Sequence, residues 1–176
     1  MSIDFRTLDL KDALDLAISI EEEAKERYDA FVRQVGGGRY PGDAADMFKL
    51  MAGYEEKHCA ELAGRRQKLF GDAPRRMSKE ALDDVEAPDR GRPRVFMSAR
   101  QAMEVALSSE EKAHAFFDDA LPHVRDPDVK ALFEELRKDE EDHIRLVRER
   151  LVKLAPGPDL EDDEADEPGS DGADGG

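Results

Sequence analysis

The sequence predicts an all-α protein, folded as an antiparallel bundle of four helices. Charged residues make up 40% of the 176 residues and aromatic residues only 6%, with no Trp, a balance typical of long helices with charged outer faces rather than of a β-sandwich. Four segments carry apolar residues at helical spacing. The connections within the first pair and within the second pair of segments are short, as antiparallel neighbours require. A chain of this length can bury one core.

The first two helices have clear stop signals. The first is predicted over residues 10–35 and stops at the three glycines that follow. The second is predicted over residues 44–70, with Asp43 as its N-cap, and stops near Gly71. The short connection between them favours a helical hairpin.

The third and fourth helices have clear start signals. The third is predicted over residues 98–121, where an initial Ser-Ala-Arg-Gln run fits a capping box, and it ends before Pro122. The fourth is predicted over residues 126–154 and opens with an Asp-Pro pair, an N-cap followed by Pro at the first helical position. These two helices form a second hairpin.

A long link, residues 71–97, joins the two hairpins and contains three prolines. Each helix is roughly 35–40 Å long at about 1.5 Å per residue, so this link can cross the bundle from end to end. Two hairpins joined by one long crossover form the ferritin-like arrangement. Within the link, residues 78–85 could form a short helix.

The chain divides into a bundle, residues 1–155, and an acidic tail, residues 156–176. The tail has nine acidic residues, no basic residue and many Gly and Pro, a composition that predicts disorder. Its simplest role is to solubilise the protein, with cation gathering or partner binding as alternatives. The net charge is −16, and no face collects Lys and Arg without acids between them, so nucleic acid is not an expected partner.

Cys59 is the only cysteine, which excludes an intrachain disulfide and a four-thiolate metal site. We expect it to pack as a small apolar residue. The first ten residues do not have the pattern of a signal peptide, and no apolar run is long enough for a membrane span. The expected protein is soluble and cytoplasmic.

Each predicted helix has an apolar stripe that faces the bundle interior. The stripes comprise Leu14, Ala17, Ile18, Ala24, Tyr28 and Phe31; Phe48, Met51, Leu62 and Leu69; Met103, Ala106, Ala113, Phe117 and Ala120; and Phe133, Leu136, Val147 and Leu151. Six acidic or imidazole residues interrupt them: Glu21, Glu55, His58, Glu110, Glu140 and His143. Each half of the chain therefore supplies one Glu and one Glu-x-x-His.

Four carboxylates buried together are very unfavourable without positive charge among them. Lys25 borders the first stripe, but one ammonium cannot balance four acids, and the other stripes show no inward Lys or Arg. Two divalent cations would balance the charge, and Glu and His suit iron or manganese. One Glu from each of two helices and Glu-x-x-His from each of the other two is the di-iron pattern of four-helix bundles. A metal-free structural bundle would leave these acids uncompensated.

Over residues 10–154, the motifs LAISIEEEAKERY, YEEKH, VALSSEEKAHAFF and DEEDH resemble the rubrerythrin branch of the ferritin-like superfamily. The resemblance implies a non-haem di-iron oxidoreductase that oxidises Fe(II) with O2 or reduces H2O2, as a ferroxidase or an NADH-peroxidase-type enzyme of iron homeostasis and oxidative stress. It also implies a homodimer.

By the same resemblance, the six residues would be the metal ligands and the catalytic residues. Glu21 and Glu110 would each bind one iron, while the carboxylates of Glu55 and Glu140 would bridge the two irons. The two histidines would each bind one iron.

Two features depart from the rubrerythrin pattern. The four-cysteine rubredoxin module is missing, so electrons would come from a separate donor protein or from Fe(II) itself. Ala113 stands where these proteins tend to have a second Glu on the third helix, so the ligand set looks more like the ferroxidase centre of bacterioferritins.

Several polar residues near these motifs are assigned other roles. His114 completes a second Glu-x-x-His but lies on a mostly polar stripe, so it is predicted at the surface or rim, and His123 is given no metal role. Tyr28 is either a core residue or a hydrogen-bond donor to a ligand carboxylate, and Asp139 is a candidate to orient His58. The residues assigned to solvent are Asp15, Ser19, Glu22, Glu23, Glu56 and Glu141.

Three other functions fit the same ligand set. One is an iron-storing or iron-delivering bundle with little catalysis. The second is a manganese catalase. The third is a di-iron hydroxylase, which needs an apolar substrate pocket beside the metals.

Overall fold

The computed structural model describes residues 3–36, 41–77 and 97–154. It contains four long helices: α1 (Leu10–Gln34), α2 (Ala44–Phe70), α3 (Ala99–Ala120) and α4 (Pro127–Lys153). The described part of the chain has no β-strand. The predicted all-α fold is confirmed, and the predicted helix boundaries agree with these to within one or two residues.

Side-chain caps fix where the helices begin. The Asp43 side chain accepts a hydrogen bond from the Asp46 backbone N–H, and the Asp126 side chain accepts from two backbone N–H groups at the start of α4. At α3, Ser98 and Gln101 form both hydrogen bonds of a capping box. These three caps confirm the predicted signals. A short 3-10 turn, Leu121–His123, follows α3 and was not predicted.

The helices are arranged as two antiparallel hairpins. Arg66, near the end of α2, contacts Asp15, near the start of α1. Arg100, at the start of α3, donates to the Leu151 carbonyl at the end of α4. Helix α2 also packs against α3, and α1 against α4.

Two apolar clusters, one at each end of the bundle, show in which direction each helix runs. The first cluster contains the beginning of α1, the end of α3 and the beginning of α4. The second contains the end of α1 and the beginnings of α2 and α3. Helix α2 ends at one end of the bundle and α3 begins at the other, which is the arrangement that the predicted crossover requires. The possible helix at 78–85 and the acidic tail at 156–176 lie outside the described residues.

The predicted inward stripes are buried, with one exception. Leu69 is 54% exposed, so its assignment to the core was wrong. It is the penultimate residue of α2.

The assignment of Asp15 and Ser19 to solvent was also wrong, because both are buried. Ser19 Oγ donates to the Asp15 backbone carbonyl, which satisfies the hydroxyl inside the helix. Asp15 forms an ion pair with Arg66, a buried arginine that the sequence pattern did not place inside. Hydrophobic periodicity could not reveal this buried pair of opposite charges.

Asp15, on α1, forms hydrogen bonds with the end of α2 and with the residues that follow α2. Besides Arg66, it accepts hydrogen bonds from Lys11 Nζ at 3.1 Å and from the Arg76 backbone N–H at 3.2 Å. Arg66 also donates to the Ala73 carbonyl at 2.7 Å. Burial opposes ionisation of Asp15, but these hydrogen bonds outweigh it and lower the pKa of the carboxyl.

The Asp15→Ala variant is expected to lose about 3–5 kcal/mol of unfolding free energy, because it leaves the Arg66 guanidinium buried without its counter-charge. Urea unfolding at pH 7 measures this loss. The matched control is Asp118→Ala, which removes an exposed ion pair with Arg137 and should cost at most about 1 kcal/mol. Equal losses in the two variants would show that the buried pair does not hold the hairpin.

Candidate metal centre

The six residues singled out by the sequence come together at the middle of the bundle, between the two apolar clusters. On α1, Glu21 follows the residues of the first cluster and precedes those of the second. The same holds for the other helices, where each Glu or Glu-x-x-His falls in the gap between the two clusters. The helices thus bring one polar layer of four carboxylates and two imidazoles to the same height.

The first hairpin supplies one group of donors, Glu21, Glu55 and His58. One ligand atom of each lies within 4.8 Å of the others. His58 Nδ1 is 3.9 Å from Glu21 Oε2. Glu55 and His58 lie on one face of α2 because residues three apart are neighbours on a helix, and Glu21 faces them from α1.

The second hairpin supplies the matching group, Glu110, Glu140 and His143, whose ligand atoms also lie within 4.8 Å of one another. His143 Nδ1 is 3.1 Å from Glu110 Oε2 and 3.5 Å from Glu140 Oε2. The two groups therefore repeat the same geometry, one on each hairpin.

The two groups meet through their histidines. The rings of His58 and His143 are stacked, with centroids 4.6 Å apart and planes 12° from parallel. Glu21 in turn interacts electrostatically with Glu140 and Glu110 of the other hairpin. The six side chains thus form one connected layer rather than two separate sites.

Five of the six side chains in this layer are buried, and the sixth, His58, is partly exposed. The four carboxylates are at most 3% exposed, and His143 is 8% exposed. Burial first, and then the charges of Glu140 and Glu110, raise the pKa of Glu21 to about 8, although a hydrogen bond with Glu55 opposes the rise. Burial, and then the neighbouring His143, lower the pKa of His58. Glu21 therefore resists ionisation unless a cation joins it, and His58 favours the neutral form that binds a metal.

The donors fit divalent metal ions. Glu21 Oε2 is buried and accepts no hydrogen bond from the described residues. Glu21 pairs with His58, and Glu110 and Glu140 pair with His143. Oxygen and imidazole donors in this number suit iron or manganese.

The neighbouring cations have other partners. Lys25 pairs with Asp29 on the half-exposed side of α1, and the buried Arg27 pairs with Glu23. The prediction that the second, third and fourth stripes have no inward Lys or Arg was wrong for Arg66 on α2, which is buried, and the sequence pattern also did not place Arg27 of α1 inside. Arg66 pairs with Asp15 at the first apolar cluster, away from the polar layer.

Two tyrosines contact residues of the candidate metal centre. Tyr28 Oη donates to Glu110 Oε1 at 3.5 Å, which favours the second of its two predicted roles. Tyr54 stacks on the His143 ring, with centroids 6.3 Å apart, and sequence reasoning missed it. Its position one helical turn before His58 was the available signal.

Other polar residues lie outside this layer. His114 pairs with Glu141 on the outer face at 3.4 Å, as predicted, and His123 is exposed. Glu22 and Glu23 are partly exposed and Glu56 is exposed. Cys59 is partly buried against the first apolar cluster. Asp139 interacts electrostatically with His58.

Two cavities approach the centre from different sides. The apolar pocket, of about 420 Å³, reaches His143, and its apolar wall is formed by Leu50, Met51, Tyr54, Met103, Leu146 and Val147. The acidic entrance, of about 80 Å³, reaches Glu21, His58 and Glu140, and Glu61, Arg65, Glu135 and Asp139 line its outer part.

Two antiparallel helical hairpins that bring four Glu and two His together in one layer are typical of a ferritin-like protein, and these side chains could hold metal. A match to a family model identifies the family. The rubrerythrin family model matches residues 12–151, with a further match to residues 101–169, so the chain belongs to the rubrerythrin family. This confirms the resemblance seen in the motifs. Proteins of this family bind two iron ions.

Two solved structures share the fold. A conserved protein from Magnetospirillum magnetotacticum MS-1 is 22% identical, with a TM-score of 0.64 over 85% of this chain and 98% of that chain. A hypothetical protein from Pyrococcus furiosus is 21% identical, with a TM-score of 0.51 over 83% of this chain and 92% of that chain. No curated protein sequence matches the chain.

In the described part of the chain, every helix is too polar or too short to cross a membrane.

Proposed function

We propose that the protein is a di-iron oxidoreductase that oxidises Fe(II) with O2 or H2O2. The observation that carries the proposal is the convergence of two equivalent Glu/Glu/His groups, one from each hairpin, in a buried layer. Two metal ions with a combined charge of +4 would neutralise four carboxylates there.

Each residue has a role in this proposal. Glu55 and Glu140 would contribute their carboxylates to both ions, and Glu21 and Glu110 would each hold one ion. His58 and His143 each add a nitrogen ligand. Bound iron would supply two electrons together, so that no one-electron product need leave the site. The surrounding residues exclude water, and Tyr28 holds Glu110 in place.

The partners follow from the same proposal. Fe(II) is the reducing substrate, and O2 or H2O2 is the oxidant. The one-cysteine chain has no four-thiolate module within it, so turnover with H2O2 requires a separate electron donor protein or further Fe(II). A homodimer in the cytoplasm, with manganese as an alternative metal, completes the proposal.

Anaerobic titration with Fe(II), followed by stopped-flow mixing with O2 and with H2O2, tests this function. We expect an end point of two irons per chain and rapid growth of ferric absorbance with at least one oxidant. Metal analysis of protein purified without added iron distinguishes iron from manganese. Aerobic loading far beyond two irons per chain would instead indicate a storage protein, and the absence of stoichiometric binding would refute the proposal.

The apolar pocket favours a second candidate function, a di-iron hydroxylase. Its volume of about 420 Å³ lies within the range of small-molecule sites, and His143 stands between it and the metal layer. A hydroxylase would bind an apolar substrate in this pocket. Incubating the iron-loaded, reduced protein with O2 and a set of small apolar compounds, followed by mass spectrometry, would reveal oxygenated products.

The Tyr28→Phe variant is expected to bind metal about 10-fold more weakly, since it removes the hydroxyl that donates to Glu110, and partners of metal ligands contribute at this level. Competition with a chelator measures the affinity. The control is Tyr54→Phe, because Tyr54 contacts His143 through its ring and phenylalanine keeps that ring. If both variants bind as tightly as wild type, Tyr28 is only a core residue.

A further inference from the structure

The acidic entrance connects the protein surface with the polar layer between α2 and α4. Glu61 on α2 and Glu135 on α4 are 65% and 58% exposed at their side chains. Deeper in the same cavity the exposed fraction falls to 21% for His58 and 4% for Glu21. One continuous cavity therefore runs from solvated acids to buried ones.

The charges at the outer part of this cavity favour a cation. Glu61, Glu135 and Asp139 face it together with one guanidinium, that of Arg65. Arg65 Nη1 is 2.8 Å from Glu135 Oε2, and Lys57 Nζ is 3.8 Å from Glu61 Oε1. Three carboxylates therefore face one guanidinium in the outer part of this cavity.

A buried acceptor at the inner end gives independent support for a ligand. Glu21 lines the cavity, and its Oε2 atom accepts no hydrogen bond from the described residues. A cavity of about 80 Å³ has room for a cation with a few waters of its hydration shell rather than for an organic molecule.

The apolar pocket on the other side of the centre does not suit a cation. Its rim contains Arg150 and Lys153, and the one acid there, Glu149, pairs with Arg145. A divalent cation would be repelled at this rim, whereas a neutral oxidant would not be. The two cavities therefore differ in the charge that they admit.

We propose that Glu61, Glu135 and Asp139 form a capture site for hydrated divalent cations, which then pass inward to Glu21, His58 and Glu140. Arg65 is the counter-charge of this site. Its ion pair with Glu135 weakens the attraction of the acidic entrance for cations, and this ion pair must break when a cation passes. This inference rests on the proposed function, because it supplies the route by which Fe(II) reaches the centre.

The test measures the rate of anaerobic Co(II) binding, followed by the visible absorbance of bound cobalt, with the full chain. The variant Glu61→Gln/Glu135→Gln/Asp139→Asn is expected to bind Co(II) about 10-fold more slowly at low salt, with an unchanged end point of two ions per chain. The difference should shrink at high ionic strength, where exposed charges are screened. The single variant Arg65→Gln should bind faster than wild type, an effect opposite in sign to that of damage to the fold.

The control variant Glu104→Gln/Glu111→Gln/Asp118→Asn removes the same three charges from exposed ion pairs on α3. It should bind Co(II) at nearly the wild-type rate. Equal slowing of the two triple variants would overturn the capture site while leaving the metal centre intact, as would a wild-type rate for Arg65→Gln. If wild-type protein takes up no Co(II) and no Fe(II), the proposed function itself fails and the route fails with it.

Discussion

The Glu55→Ala variant is expected to lose tight binding of two irons per chain, and with it the rapid ferric absorbance. Glu55 is fully buried and lies in the group with Glu21 and His58. In the proposed centre its carboxylate would help to hold both ions, so its removal would weaken binding at both positions. Since partners of ligands alone contribute 10–100-fold in affinity, the loss of a ligand should weaken binding by at least about 100-fold.

The neighbouring residue provides the matched control. Glu56 follows Glu55 on the same helix but is exposed, so Glu56→Ala makes the same chemical change on the solvent side. It should bind two irons and react at the wild-type rate. The pair Glu140→Ala and Glu141→Ala repeats the comparison on α4, where Glu140 is 2% exposed and Glu141 is exposed. If Glu55→Ala reacts with O2 as fast as Glu56→Ala, the proposed centre is wrong.

The contrast between adjacent glutamates also shows why so much of the site could be predicted. A residue shares a helix face with those three and four positions away, so Glu55 falls in line with Met51 and Leu62 while Glu56 does not. The same rule placed His114 outside the centre, although it completes a second Glu-x-x-His. Helical periodicity is strong evidence here because the helices are long and their ends are marked by caps.

Periodicity fails where burial depends on a partner from another helix. Asp15 and Arg66 are each polar residues that a helical pattern assigns to solvent, and they are buried because they neutralise each other across α1 and α2. Leu69 is apolar, but near its helix end nothing covers it. The two cavities likewise arise from how helices pack, and no property of a single helix predicts them.

Metal-free protein is expected to lose stability as the pH rises from 6.5 to about 8. The reason is Glu21, whose pKa is raised from an ordinary 4.5 to about 8, first by burial and then by Glu140. When a folded-state pKa is raised, the folded protein holds a proton that the unfolded chain has released. Its contribution is therefore complete below the ordinary pKa and is lost as the pH rises through the folded value. The slope for one proton is about 1.4 kcal/mol per pH unit, so the loss over this window is about 2 kcal/mol.

Other groups with shifted pKa values change stability mainly outside the range from pH 6.5 to 8. The pKa of His58 lies below its ordinary value of 6.5, so its effect on stability ends near that pH. The shifts of Asp15 and Asp139 concern carboxyls with an ordinary pKa of 3.8, and Asp15, with a lowered pKa, has gained its stabilisation well below pH 6.5. Cys59 has a pKa raised above 9.0. Of these groups, Glu21 is the one whose raised pKa places its titration between pH 6.5 and 8.

Urea unfolding of metal-free protein at several pH values measures this slope. Glu21→Gln cannot release a proton at this position and should remove most of the slope. Glu22→Gln changes the adjacent, partly exposed residue and should keep it. A metal-free wild-type protein with flat stability over this range would contradict the raised pKa.

Bound metal should reverse the sign of the pH dependence. A cation binds the carboxylate form, so its binding releases the proton from Glu21 and becomes tighter as the pH rises. With excess Mn(II), the stabilisation by ligand binding grows with affinity, and unfolding free energy should rise between pH 6.5 and 8 where that of the metal-free protein falls. The stabilisation on adding Mn(II) should then be larger at pH 8 than at pH 6.5 in wild type. It should be weak and nearly independent of pH in Glu21→Gln, because the amide neither carries the charge nor releases a proton.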